Sequence, residues 1–198
     1  MKKEEIEIFY PTSLTAWRKW LTKNHLSKQA VWLVFYKKAS GKKSLTWSES
    51  VDVALCFGWI DSKKIKIDEI TSHQYFSKRK SKSTWSKINK EKVQRLIENG
   101  QMMAPGYKSI KTAKQNGSWT ILDQVEELII PKDLELAFKK QSGSKDFFRS
   151  LSKSARKALL IRLVLAKRPE TRQKRIEEIF KLAGQSQKFI SFGKNKNF

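Results

Sequence analysis

Asp61, Arg79, Trp85, Ser86 and Asn89 crowd into the segment Cys56–Asn89, where a Gly58-Trp59-Ile60-Asp61 turn precedes a dense cationic run. An aspartate leaving a helix-to-strand turn, with arginine and asparagine side chains nearby, can hold a small polar or anionic ligand walled by Trp59 and Trp85. Each of these residues also has an ordinary structural use. Asp61 could accept turn amides, Ser86 could cap a following helix with Asn89 at its N3 position, and both tryptophans could be core. The set, more than any single member, points to a site, and Arg172 and Arg175 in a second basic stretch could assist it.

Familiar catalytic signatures are missing around this set. There is no GxSxG, P-loop or GxGxxG, so the pattern gives no support to phosphoryl or hydride transfer. His25 and His73 are the only histidines, and Cys56 has no CxxC partner, so no metal-ligand spacing exists and no metal or cofactor is expected. Cys56 sits among Ala54, Leu55 and Phe57, the setting of a thiol buried in a helix; a Cys-His nucleophile would have to leave it. The expectation leans away from an enzyme.

Charge bears on partners. Forty-two Lys and Arg against nineteen Asp and Glu give +23, enough to draw polyanions by counterion release. Eleven cations face three acids between Lys63 and Arg95, and nine face one between Lys153 and Arg175. An anionic small molecule or a polyanion would fit. With no helix-turn-helix, RRM, KH or zinc-finger pattern, nucleic-acid binding would be nonspecific. The N-terminus carries Glu4, Glu5 and Glu7 where a signal peptide needs an apolar run, and no apolar stretch reaches membrane-spanning length; the expected location is cytoplasmic. Oligomeric state leaves no mark.

Elements that could position these residues follow from periodicity. Leu14, Trp17, Trp20 and Leu21 form one stripe of a helix capped by Ser13 or Thr15 and ending near Asn24. Ala30–Tyr36 is a continuous apolar run of strand length, while Trp59–Ile67 and Thr71–Lys78 suit an antiparallel pair. Thr46 with Glu49 makes a capping box for a helix over Val51, Ala54 and Leu55, ended by Gly58. From Ser86 the pattern turns helical, with Pro131 and Pro169 as first-turn residues and Thr171–Ala183 amphipathic. These elements predict an α+β fold: a small N-terminal antiparallel sheet packed by helices over residues 1–85, a mostly α-helical C-terminal half over 86–184 packed on it, and a mobile tail over 185–198.

Several separated motifs carry a resemblance. Ser50–Ser62 (SVDVALCFGWIDS), Phe76–Asn89, Asn99–Met102 leading to Pro105-Gly106, Gly117–Trp119, and Ala166–Arg172 with Arg175-Ile176 occur in the order found in the bacteriocin-protection, YdeI or OmpD-associated (YdeI/OmdA) family. The chain resembles that family from about Phe9 to about Leu182. Lys78-Arg79-Lys80 stands where the family commonly has Pro-Arg-Arg, and Ser62 where a glycine is usual. The resemblance implies a link to stress or antimicrobial-peptide tolerance, and it carries over no catalytic residue.

Overall fold

A computed structural model describes residues 5–194, with side chains through residue 185. The chain divides into two compact units, Met1–Thr120 and Ile121–Phe198.

In the first unit a sheet is built on β2 (Ala30–Tyr36), whose run of β-branched and aromatic residues suits a strand buried on one face. It pairs antiparallel with β4 (Thr71–Lys78), which pairs antiparallel with β3 (Trp59–Lys66). A two-residue strand, β1 (Ile8–Phe9), adds in parallel beside β2, so the order is β1-β2-β4-β3 and the sheet is mixed. This parallel edge extends the antiparallel sheet expected from the sequence. The register sets the faces: Val31 opposes Phe76 and Leu33 opposes Gln74 toward the core, while Trp32 opposes Tyr75 on the other side. A bulge between Asp61 and Lys64 interrupts β3.

Helices cover the core face. Helix α1 (Leu14–Asn24) is capped by Ser13, whose Oγ accepts from the Ala16 amide, and buries Trp17, Trp20 and Leu21. Helix α2 (Trp47–Cys56) starts with the reciprocal Thr46/Glu49 capping box and buries Val51, Ala54 and Leu55. Helix α3 (Lys87–Glu98) is capped by Ser86, and α4 (Ala104–Gln115) opens with Pro105 in its first turn. Trp17, Trp20, Trp59 and Phe76 form the aromatic centre, with Trp20 and Trp59 edge-to-face at 5.8 Å between centroids. The indole N–H of Trp17 donates to Ser50 O, and that of Trp20 to Glu7 Oε1. An ion pair ties α2 to α3: the buried Lys92 ammonium donates to Asp52 Oδ1 at 2.6 Å and to Ser48 Oγ at 2.7 Å.

The second unit is helical: α5 (Asp123–Glu126), α6 (Lys132–Lys140), α7 (Ser144–Ser150), α8 (Lys153–Val164) and α9 (Pro169–Lys194). Leu134, Phe138, Phe148, Leu160, Leu163, Ile176 and Ile179 make its core. Pro131 precedes α6 and Pro169 opens α9, each where a missing N–H costs no helical bond. The change from strands to helices at Ser86 and the division between units at Thr120 are different places, because α3 and α4 pack with the sheet. The α9 backbone continues through Lys194, into the segment expected to be a mobile tail; residues 195–198 and the side chains beyond Gln185 lie outside the described residues. No described helix is long and apolar enough to cross a membrane.

Candidate functional site

The end of α2 is held unusually close to the start of α4. A Cβ on Gly106 would lie 2.5 Å from Cys56 O and 2.9 Å from Leu55 O, and the Met103 amide donates to Cys56 O at 3.2 Å. Gly58 turns the chain out of α2 in the left-handed region (φ 69°), and a Cβ there would lie 2.9 Å from Pro105 O. The Arg79 amide donates to Gly58 O at 2.9 Å and fastens the end of β4 to the same turn. Only glycines let three backbones meet this closely.

Beside this junction is a cavity of about 340 Å³. Leu26, Phe57 and Pro105 give it apolar walls, Lys78, Arg79 and Lys108 are its cations, and Ser81, Ser109 and Thr112 bring hydroxyls. No carboxylate lines it. Trp59, with 0% exposure, also lines it, and its indole N–H has no partner. The Arg79 Nε–H is likewise buried and unpaired. Among the described residues the other such group is Arg156 Nε, in the second unit. A buried donor without an acceptor costs about 1–3 kcal/mol, so two in one cavity suit an arriving acceptor.

Arg79 is otherwise fixed. Its Nη2 donates to Thr84 O at 2.9 Å, and its guanidinium carbon lies 3.7 Å from the centroid of the Trp85 ring. Burial pushes its pKa down to about 10, against the opposing pull of the Asp61 charge, and it stays cationic at neutral pH.

A second, larger basin of about 730 Å³ lies along the sheet face turned away from the helices, lined by Ala30, Ile60, Tyr75 and Ser77 together with Asp61 and Ser62. It shares Lys78 and Arg79 with the first cavity. The Asp61 carboxylate is engaged from within, accepting from the Trp47 indole N–H at 2.7 Å and from the Gln74 amide at 3.4 Å.

The residues marked out by the sequence therefore separate. Trp59 and Arg79 meet at the cavity, and Asp61 and Arg79 at the basin. Trp85 lines neither; it is buried under Arg79 and packs against Trp119 at 4.9 Å between centroids. Ser86 Oγ accepts from the Asn89 amide at 3.3 Å, so this pair starts α3. In the second unit, Arg172 clasps Asp133 with Nε and Nη2 and donates from Nη1 to Leu163 O at 2.8 Å. Arg175 donates to Arg162 O. Lys108, Ser109 and Thr112 were not singled out from sequence; the i, i+4 spacing of Lys108 and Thr112 after Pro105-Gly106 was the available signal.

Other reactive groups have structural surroundings. Burial raises the Cys56 thiol pKa despite the opposing influence of Arg18, and its S–H donates to Asp52 O at 3.3 Å. The His25 ring Nδ1 lies 2.9 Å from Leu21 O, at the end of α1. Among the described residues no group of three or more His, Cys, Asp or Glu is placed to hold a metal ion.

Comparison with known proteins divides the chain in a similar way. Residues 9–109, just over half of the sequence, match the family model described as Domain of unknown function (DUF8412). Residues 127–185 match the model described as Bacteriocin-protection, YdeI or OmpD-Associated. Of the motifs behind the resemblance, Ser50–Ser62 and Phe76–Asn89 fall in the first match, and Ala166–Arg172 with Arg175-Ile176 in the second. No curated protein and no solved structure matches the chain. The chain belongs to the DUF8412 family and carries, within its helical second unit, a domain of the Bacteriocin-protection, YdeI or OmpD-Associated family.

Proposed function

We propose that the first unit captures a small anionic ligand with an apolar portion in the cavity beside Gly58, binding it without turnover. The observation that carries this reading is the pair of unpartnered donors, Trp59 Nε1–H and Arg79 Nε–H, in a cavity with cations and hydroxyls but no acid. A carboxylate or phosphate drawn in by the cations would bring the acceptor oxygens that these two donors lack. Leu26, Phe57 and Pro105 would cover its hydrocarbon part. Besides the His25 ring, whose Nδ1 lies against Leu21 O, the polar side chains on these walls are cations and hydroxyls, which suits capture; the nearby thiol of Cys56 is buried and its pKa raised, away from the range of a nucleophile. A reducing cytoplasm suits that lone thiol. The description of the family matched by residues 127–185 names bacteriocin protection, the role within which we place this capture.

Calorimetric titration of the full chain with benzoate, phenyl phosphate and the neutral isostere benzamide tests the reading. The two anions should bind and benzamide should bind at least about tenfold more weakly, the difference expected of a charge-assisted hydrogen bond. Trp59→Phe keeps an aromatic side chain and removes the N–H, and should weaken anion binding about tenfold while the smaller ring costs about 1–3 kcal/mol of stability. Equal binding of benzamide, or an unaffected Trp59→Phe, would reject the proposal.

A further inference from the structure

The sheet face opposite the helices has a composition that neither the core nor the Gly58 cavity uses. Trp32 and Tyr75 stand directly opposite on β2 and β4, edge-to-face at 4.9 Å between centroids, and both are half-buried. The bulge in β3 sets Ser62 and Lys63 against a single partner position, and the Lys63 ammonium lies 5.2 Å from the Trp32 ring and 5.4 Å from the Tyr75 ring. One register step further, Ala30, Ser77 and Ile60 form the floor of the basin of about 730 Å³, with Gln29, Ser62 and Ser83 as polar rim and Lys78, Arg79 and Lys80 as cations.

Cations outnumber acids around the basin, where Lys78, Arg79 and Lys80 stand against Asp61. Lys63 flanks the aromatic pair on one side, and Lys78, Arg79 and Lys80 border the basin at the other end. Of the acids nearby, Asp61 is engaged by Trp47 and Gln74, and Glu69 is paired with Lys66. The apolar residues exposed at the β3–β4 turn, Ile67 and Ile70, bracket Asp68 and Glu69, an arrangement that an anionic lipid surface repels.

We infer that this face binds single-stranded nucleic acid, unpaired bases stacking on Tyr75 and Trp32 and entering the basin while phosphates run past Lys63 and Lys80. Aromatic surface bordered by cations is what an unpaired strand requires, because every base offers a π-face and every linkage a charge. A duplex keeps its bases inside and meets the cations alone. The basin shares Lys78 and Arg79 with the Gly58 cavity, but Trp32, Lys63, Tyr75 and Lys80 lie outside that cavity, so tests at these positions leave the capture of small anions standing.

The test is fluorescence polarisation of the full chain with a labelled oligothymidylate of about twenty nucleotides, its duplex, and heparin, across about 50–200 mM salt. The single strand should bind more tightly than the duplex, and its affinity should fall linearly with salt on logarithmic axes. Tyr75→Ala, with its circular dichroism spectrum unchanged, should weaken the single strand about tenfold and leave heparin unchanged, since heparin has no base to stack. Lys63→Ala with Lys80→Ala should flatten the salt slope by roughly one to two. Should Tyr75→Ala fail to fold, photocrosslinking of the parent chain to a bromouracil-substituted strand serves instead, with the adduct expected on Trp32 or Tyr75. Absence of binding at about 50 mM salt, equal affinity for duplex, heparin or anionic vesicles, or adducts confined to other residues would overturn the inference.

Discussion

The Arg79 guanidinium is stacked on Trp85 at 3.7 Å, yet its Nε–H has no acceptor. The ring supports one face of the cation while one of its donors goes unused. Such an arrangement costs stability, and it identifies Arg79 as a residue whose absence the fold should tolerate.

Arg79→Met should leave stability within about 0.5 kcal/mol of the parent or raise it, because an apolar side chain removes the burial cost of the charge. Folding lowers the pKa of Arg79 to about 10, so below that pH both folded and unfolded chains hold the proton and the burial cost is fully present. Above it the folded state releases the proton first, the parent is relieved of the cost, and the gap between parent and variant should narrow. Urea denaturation followed by tryptophan emission measures this. A loss of about 2 kcal/mol or more in the variant would make Arg79 a structural cation instead.

Three glycines separate strain from crowding. Gly100 (φ 64°) has open space around it, so Gly100→Ala should cost only the left-handed backbone penalty of about 1–2 kcal/mol. Gly58→Ala adds a clash with Pro105 O and should cost about 2–4 kcal/mol. Gly106 has ordinary helical backbone but meets Cys56 O and Leu55 O, and Gly106→Ala should cost about 1–3 kcal/mol through crowding alone. All seven tryptophans precede Thr120, so emission reports on the first unit alone. A Gly58→Ala cost no larger than that of Gly100→Ala would mean that α2 and α4 are not held in close approach.

The second unit should be acid-sensitive through Asp133. Hydrogen bonds from Arg172 hold its carboxyl below the ordinary range, outweighing desolvation. A carboxyl lowered by folding stabilises the folded state above its unfolded pKa, near 4, and that contribution disappears as pH falls through the folded value. Protection factors in α6 and α9, taken relative to the intrinsic exchange rate at each pH, should therefore fall below about pH 4 in the parent. Asp133→Asn should exchange faster at neutral pH and show a weaker dependence on acid. The same acid dependence in both chains would remove the pair from the account.

Much of this architecture is legible locally. Ser13, Thr46 and Ser86 begin their helices because each side-chain oxygen satisfies an amide that the helix leaves open, and this needs no tertiary information. The same local logic takes Ser86 and Asn89 out of the site that residue type suggested. Ala30–Tyr36 reads as a strand because a seven-residue apolar and aromatic run has few other uses. The pairing of β1 with β2 is invisible: two residues carry no period, and Ile8 and Phe9 become a strand only beside Trp32 and Leu33. The unit boundary is equally hidden, since Trp85 and Trp119 meet across many residues of helix and hold α3 and α4 to the sheet. Lys108 and Thr112 reach the cavity only because Gly106 lets α4 approach α2, a distance that spacing along the chain does not encode.

The bulge between Asp61 and Lys64 also lies on an open edge of the sheet. Strand β3 is an outer edge of the sheet, and an extended edge invites another chain to add a strand and begin aggregation. The offset breaks the regular row of amides and carbonyls, and Lys63, Lys64 and Lys66 surround it with like charge. Straightening that strand by deleting one residue, or replacing these lysines with threonine, would turn a guarded margin into a template for fibrils.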